Sequence, residues 1–450
     1  MWCAGPGLAK IEGLSALAMS ATSRLPQFYS LSPEERLHRL AEAAGVPAGE
    51  LEPLRAGLTL AVADRMVENV VGVTGLPLGI ATNFVINGRE VLVPMAIEEA
   101  SVVAGASKAA RAARSGGGFV AECDPSLMIG QVQLLGLRDV EAAAYRVLER
   151  KAEVLNLANS RPSQIVELGG GATDLEARVV RESPAGPMLV VHLIYDVRDA
   201  MGANAVNSTV ELVAPLLEAV TGGRANLRVI SNLADRRLAR ARVKIVPGEL
   251  DCGEVAGSTV AARIVEAYSL AAVDPYRAAT HNKGIMNGVD AVAVATGNDW
   301  RALEAGAHAY AARQGRYGPL SQWAIGADGQ LEGCLEMPMP VGTVGGATRA
   351  CPTARACLRL MGVETASALA EVMAAVGLAQ NLAALWALVT EGIQRGHMAL
   401  HARQVALAAG AAGAEVEAVA GRMIEQGEIR SATAERLVRE MRGNTQETQT

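Results

Sequence analysis

Between residues 127 and 231 the spacing of apolar residues switches repeatedly between the two-residue period of a strand and the 3.6-residue period of a helix. Residues 128–137 read as a strand, and residues 139–159 as a helix with Val140, Ala143, Ala144 and Val147 at helical spacing. Two strands follow, 175–181 and 188–197, joined by the turn Ser183-Pro184-Ala185-Gly186. A second helix over 203–220 stops at Thr221-Gly222-Gly223, and a last strand covers 227–231. The order β-α-β-β-α-β is the split βαβ, ferredoxin-like arrangement, in which two helices cover one face of a four-stranded antiparallel sheet. In a chain of 450 residues, long enough for two or three domains, this segment is expected to be a small domain (126–231) inserted between two pieces of a larger one.

The flanks carry their own signals. Ser32-Pro33-Glu34-Glu35 ahead of Leu37 and Leu40 supplies an N-cap, a proline at the first helical position and first-turn acids, which predicts a helix. The pattern over 63–73 is again helical, and residues 80–93 alternate around Asn87-Gly88, which predicts a hairpin. Residues 1–22 read as a disordered extension, because Lys10 and Glu12 interrupt the short apolar run and no basic stretch precedes it as in a signal peptide. The apolar stretch 376–389 is interrupted by Gln380 and Asn381 and is shorter than the ~20 residues that span a bilayer, so no membrane helix is expected.

Composition narrows the functional classes. Aromatic residues are 3% of the chain and the formal charge is −6, which disfavours both base stacking and a phosphate-neutralising surface, so no nucleic-acid partner is expected. The six cysteines, Cys3, Cys123, Cys252, Cys334, Cys351 and Cys357, are scattered without a C-x-x-C pair, as reduced thiols of a cytoplasmic enzyme would be.

No G-x-G-x-x-G run follows a strand and opens a helix, so a standard dinucleotide fold is disfavoured. Instead Asp199-Ala200-Met201-Gly202-Ala203-Asn204 sits where the third strand of the small domain turns into its second helix. Its glycine permits close backbone approach, and free N–H groups at that helix start suit a pyrophosphate. On geometry alone, glycine at such a turn is more often plain turn chemistry.

This run resembles, letter for letter, the dinucleotide-binding motif of the class II (bacterial-type) hydroxymethylglutaryl-CoA reductase family. His281-Asn282-Lys283-Gly284-Ile285-Met286-Asn287-Gly288 is similar to that family's catalytic lysine segment, and Thr296-Gly297-Asn298-Asp299-Trp300-Arg301 to its aspartate segment. Residues 94–101 resemble the glutamate segment, Gly396-His397-Met398 the histidine segment, and the four keep the family's order. The similarity runs from about residue 23 to about residue 430.

The resemblance implies an α+β enzyme with a large, mainly helical substrate and CoA domain in two pieces (23–125 and 232–391), the inserted NAD(P)-binding domain (126–231) and a C-terminal helical flap (392–450). It implies a hydroxymethylglutaryl-CoA reductase that interconverts 3-hydroxy-3-methylglutaryl-CoA with mevalonate and CoA, acts on small molecules in the cytoplasm, and forms a homodimer or a higher assembly of dimers. Its catalytic residues would be Glu99, Lys283, Asp299 and His397. Lys283 is a compact cation suited to the oxyanion of thioester reduction, and His397 an acid suited to protonating the departing CoA thiolate. Glu99 would give the proton of the new hydroxyl, and Asp299 would hydrogen-bond near Lys283 and Glu99. Asp199, Met201, Gly202 and Asn204 would bind the cofactor, and Ser101, Asn232, Arg277, Thr280 and Asn287 the substrate, with Arg277 on a carboxylate.

Each of these residues also has a plainer reading. Lys283 in isolation is a solvated loop lysine, Asp299 an N-cap, Glu98-Glu99 first-turn charge, and Arg277 a surface partner of Asp274. His397 and His401, four apart, are not a metal pair, since no H-E-x-x-H glutamate and no third ligand accompany them. Pro162 stands where NADH-preferring relatives carry an aspartate for the ribose, and Arg161 beside it would accept a 2′-phosphate. NAD(H) is nevertheless favoured by resemblance, with NADP(H) the alternative and Glu167 and Asp174 as other ribose partners. The rival readings are a catalytically silent CoA- or nucleotide-binding homologue and an alanine-rich helical scaffold.

Overall fold

The structure, a computed structural model, describes residues 22–390 and 392–447. It is an α+β protein. In chain order the strands are β1 (Leu78–Ile86), β2 (Arg89–Ala96), β3 (Phe119–Cys123), β4 (Leu127–Leu135), β5 (Gly171–Val180), β6 (Met188–Asp196), β7 (Arg224–Ile230), β8 (Leu238–Ile245), β9 (Ser321–Ile325) and β10 (Leu331–Pro338). The helices of eight or more residues are α1 (Pro33–Ala44), α2 (Val102–Ala113), α3 (Val140–Glu149), α4 (Lys151–Ala158), α5 (Ala203–Thr221), α6 (Gly257–Val273), α7 (Pro275–Ala295), α8 (Trp300–Ala311), α9 (Pro352–Met361), α10 (Ala366–Val389), α11 (Ile393–Ala408), α12 (Ala414–Glu425) and α13 (Ser431–Glu447).

Two sheets organise these elements. One has six strands in the order β2-β1-β3-β8-β10-β9, antiparallel except where Ile86 meets Phe119 in the β1–β3 pair. The other has four antiparallel strands in the order β5-β6-β4-β7. Local chemistry sets several boundaries. The β1–β2 hairpin turns on Asn87 (φ 50°) and Gly88 (φ 76°), both left-handed, which is the two-residue turn whose twist suits flanking strands. Ser32 caps α1 in a reciprocal box with Glu35, and Pro33 occupies its first turn.

α10 lies at the centre of the larger core, packed against α7, α2, β3 and β8. It is the one helix among the described residues long and apolar enough to cross a bilayer, yet 72% of its most apolar window is buried inside this chain. Its interrupting polar residue Asn381 is buried too, accepting from Ser321 Oγ (2.9 Å) and Trp323 Nε1 (2.7 Å). With few aromatic side chains, the α7–α10 crossing is made by glycines. A Cβ on Gly288 would lie 2.9 Å from the Gln380 Cβ and 3.0 Å from the Val376 carbonyl oxygen. Gly288→Ala is accordingly expected to cost about 1–3 kcal/mol of stability by overpacking, measured as a lower urea midpoint at unchanged m-value.

A separate apolar core joins the four-stranded sheet to α3, α4 and α5 through Met128, Val132, Leu193, Val206, Val210 and Leu217. A third unites α11–α13 through Ala402, Ala406, Val419, Met423 and Leu437. Two sequence expectations need correction. The helix over 63–73 is absent: after the short turn Leu60–Ala63 the chain runs irregularly, Asn69 takes a left-handed φ of 58°, and Val67 and Val71 face outward instead of forming a buried stripe. The helix expected over 139–159 is two helices, because Arg150 leaves helical geometry at ψ 12°. The small apolar residues of 289–295 form the C-terminal part of α7 and lie in the core. The expectation of disorder at residues 1–22 concerns residues of which 1–21 lie outside those described.

The chain joins the fold at Ser23, whose N–H donates to Glu90 Oε2 (2.9 Å), and Glu90 is also gripped by its ion pair with Arg114. Partial burial works to raise the Glu90 carboxyl, but hydrogen bonds from Arg114 and Ser23 and the Arg114 charge outweigh it and hold it at about 2, against an ordinary 4.5. A depressed acid stabilises the folded state above its unfolded pKa and ceases to do so as pH falls through the folded one. Wild type is therefore expected to lose stability between about pH 4.5 and 2 more steeply than Glu90→Gln, as read from urea midpoints across that range.

Candidate active site

The site begins with helix α7. Asp274 caps it, accepting from Tyr276 N (3.1 Å), and Pro275 starts it. On sequence Lys283 lies between glycine-rich turns; the structure places it inside this 21-residue helix, because Gly284 and Gly288 serve helix packing. Arg277, Thr280, Lys283 and Asn287, spaced by three or four residues, share one face of α7. Lys283 is held from behind by its two neighbours. His281 is buried, with Nε2 2.6 Å from Ser321 Oγ, and burial followed by the Arg277 charge lowers its pKa to about 3, so it stays neutral. Asn282 donates to Tyr317 Oη (3.0 Å) and Gly318 O (2.9 Å) and accepts from Leu320 N (2.9 Å).

Lys283 Nζ lies 2.5 Å from Glu99 Oε2, and Asn287 Nδ2 donates to the same oxygen at 3.3 Å. Glu99, and not its exposed neighbour Glu98, thus meets the lysine. Ser101 follows at the start of α2 with a left-handed φ of 75°, a conformation that costs a non-glycine residue about 1–2 kcal/mol. Glu99 and Ser101 line a cleft of about 1190 Å³ whose walls also carry Arg24, Lys108 and Arg111. Lys108 and Arg111 extend the face of α2 below Ala104, and the Lys108 ammonium sits 4.1 Å from the centroid of the Trp386 ring. Their i, i+3 spacing and common sign were the available sequence signal for this basic wall.

Asp299 is not in this cluster. Its Oδ1 caps α8, accepting from Arg301 N (3.1 Å) and Ala302 N (3.2 Å), and pairs with the Arg301 guanidinium at 3.2 Å. Lys283 precedes the end of α7 by twelve residues, roughly 18 Å of helix at 1.5 Å per residue, and Asp299 lies beyond that end. Asn232 packs on the helix that Asp299 caps, its carbonyl 2.6 Å from where a Cβ of Gly306 in α8 would sit.

The cofactor candidates also gather there. Gly202 ends the turn before α5 with φ 97°, and a Cβ would come 2.3 Å from Val197 Cγ1, so both conformation and space require glycine. Among the described residues no side chain caps α5, a 19-residue helix whose first N–H groups suit an anion. Asn204 is exposed in that first turn and Met201 is half-buried. Asp199 faces inward instead: its Oδ1 accepts from Ala366 N (2.9 Å) and its carbonyl from Thr343 N (2.9 Å). Of the other ribose candidates, Asp174 is paired with Lys151, while Arg161 and Glu167 are exposed. His397 falls in α11, but its side chain lies outside the described residues.

Comparison with known proteins now gives this geometry a family. The sequence profile of hydroxymethylglutaryl-coenzyme A reductase matches residues 32–402. The chain is 54% identical over 422 residues to a 3-hydroxy-3-methylglutaryl-coenzyme A reductase of Archaeoglobus fulgidus, covering 94% of this chain and 95% of that one. It is 34% identical over 348 residues to a probable reductase of the same name from Borreliella burgdorferi, covering 76% and 77%. Among solved structures, a 3-hydroxy-3-methylglutaryl-coenzyme A reductase from Streptococcus pneumoniae superposes with a TM-score of 0.79 at 41% identity, over 92% of this chain and 99% of that one. Another structure of the class II reductase from that organism, bound to NADPH in open conformations, gives a TM-score of 0.77 at 41% identity, over 92% and 100%. By class, then, the chain is an oxidoreductase. It belongs to the hydroxymethylglutaryl-coenzyme A reductase family, in its class II branch.

Proposed function

We propose that the chain interconverts 3-hydroxy-3-methylglutaryl-CoA with mevalonate and CoA through two hydride transfers and a mevaldehyde-level intermediate. The carrying observation is the Lys283–Glu99–Asn287 cluster, whose Glu99 lines a cleft with a basic wall. Lys283 stabilises the negative charge that develops on the thioester oxygen. Glu99, in contact with that ammonium, moves the proton of the carbonyl-to-hydroxyl step, and Asn287 fixes its carboxylate. Thr280 and Arg277, about one and two turns before Lys283 on the same helix face, orient the substrate's carboxylate, and Ser101 its other end. Lys108 and Arg111, roughly 10–15 Å along α2 from Ser101, bind the phosphates of CoA. His397 protonates the departing thiolate from the flap formed by residues 392–450.

A nicotinamide cofactor, when bound, supplies the hydride. The bare start of α5 and the room left by Gly202 hold its pyrophosphate, with Met201 and Asn204 beside it and the ferredoxin-like segment 126–231 as its domain. NAD(H) is favoured by family resemblance, while the exposed Arg161 and the NADPH-bound relative support NADP(H).

The residues fall into two half-sites. Glu99, Ser101, Arg277, Thr280, Lys283 and Asn287 form one, and Asp299, Asn232 and the cofactor turn the other. A homodimer in which each copy supplies one half to the other completes two sites. The outward-facing Val67, Val71, Val73 and Leu76, Val71 being 98% exposed, give such a second copy an apolar strip to cover.

The test follows reduced-nicotinamide absorbance with mevalonate, CoA and either NAD or NADP. Reduction is expected only when mevalonate and CoA are both present, and the ratio of kcat/KM for the two cofactors decides the preference. No turnover with either cofactor in either direction, with CoA still bound, would leave the silent homologue.

A further inference from the structure

Arg237 is 4% exposed, and among the described residues no carboxylate pairs with it. Burial lowers its pKa to about 10, opposed by the nearby Cys123, Asp196 and Asp199, so it remains a cation at neutral pH. A buried, unpaired guanidinium is costly unless its donors are used, and here both Nη1 and Nη2 have a backbone acceptor. Nη1 donates to Ala200 O (3.2 Å), in the turn before α5, and Nη2 to Val341 O (2.5 Å), while the Arg237 carbonyl accepts from Met339 N (2.9 Å). The guanidinium therefore joins that turn to residues 339–344.

The same short segment runs on to the Asp299 loop. Gly342 N donates to Asn298 Oδ1 at 2.8 Å, and Asn298 Nδ2 donates to Thr296 Oγ1 at 3.0 Å. Thr343 N and Val344 N donate to the Asp199 carbonyl at 2.9 and 3.4 Å. Gly342 can have no side chain, since a Cβ would stand 2.6 Å from Met201 N. Residues 339–344 thus touch Asp199, Ala200 and Met201 on one side and the residue before Asp299 on the other.

We propose that residues 339–344 are a strap that holds the cofactor turn and the Asp299 loop in one register, with Arg237 and Asn298 as positioning residues at its two anchorages. The proposal rests on the reading of residues 199–204 as the cofactor turn. Through the strap, ordering of the turn by a nicotinamide dinucleotide stiffens the loop that presents Asp299, and a defect at Asn298 weakens cofactor binding without touching the turn.

Hydrogen exchange of the wild-type protein, with and without NADP and in parallel NAD, requires no variant to fold. Slowed exchange is expected at residues 203–206, at Gly342, Thr343 and Val344, and in the loop 296–299. Slowing at 203–206 alone overturns the strap and leaves the cofactor turn standing; no slowing at 203–206 overturns the reading of the turn itself. Steady-state kinetics then separate positioning from general damage. Arg237→Met is expected to raise the cofactor KM about tenfold or more, the scale of lost hydrogen bonds from a charged group, with the HMG-CoA KM within about twofold, and Arg237→Lys to recover part of it. Asn298→Ala should lower kcat and raise the cofactor KM about threefold, and the double variant should fall short of the product of the single effects. Equal changes in both KM values, or independent effects of the two substitutions, would refute the coupling.

Discussion

Lys283→Ala is expected to lower kcat by about 10³-fold while leaving the thermal midpoint within about 2 °C of wild type. The two halves of this result have different causes. The ion pair with Glu99 is exposed, 59% on the lysine and 39% on the glutamate, and pairs of that kind contribute little to stability. The helix that carries Lys283 is held by other residues: His281 and Asn282 are buried and bonded, and Ile285, Met286 and Val289 lie in the core. Removing the ammonium therefore leaves α7 in place and deletes only the positive charge beside Glu99, which the proposed mechanism directs at the reacting oxygen. The loss should appear in both directions of the reaction, because the same oxyanion is crossed in each. A fall in kcat below about tenfold would remove Lys283 from the chemical step and shift the site elsewhere in the cleft. Large loss of stability with the activity would instead make it a structural residue.

The second expected result concerns assembly. Lys283→Ala and Asp299→Ala proteins should each be inactive, and co-expression of the two, with separate tags on each, should restore about one quarter of wild-type activity. The figure follows from a dimer with two shared sites: random pairing makes about half the dimers mixed, and each mixed dimer keeps one site intact of two. The geometry behind it is the separation of Lys283 from Asp299 by the rest of α7, with Asn232 and the turn before α5 gathered on the Asp299 side. Were both residues to act within one chain, every active site in the mixture would lack one of them and nothing would be restored. Isolation of the doubly tagged dimer should raise the recovery to about half.

Much was legible before any coordinates. Residue types alone mark Ser32 and Pro33 as a helix start, Asn87-Gly88 as a hairpin turn and Gly202 as a glycine at a strand-to-helix turn, because caps and turns are local requirements, while the exclusion of other residues at Gly202 shows only in its contact with Val197. The four catalytic segments were named by resemblance to a family, and the structure brings the residues of two of them, Glu99 and Lys283, into contact. Other features could not be read locally. Arg237 has the look of any charged residue in a basic run, and only packing buries it and brings Ala200 O and Val341 O, 37 and 104 residues away, to its donors. The apparent helix over 63–73 failed for the same reason in reverse: among the described residues nothing covers Val67, Val71 and Val73, so its periodicity has no surface to pack against. What the sequence by itself determined is the local starts and turns of elements, the order of the small domain's strands and helices, and the chemistry available, since these depend on neighbours within a few positions. Which residues share a site was decided by the tertiary structure alone, because distances between α2, α7, α8 and the strap are set by side-chain volume at helix crossings such as Gly288 on Gln380.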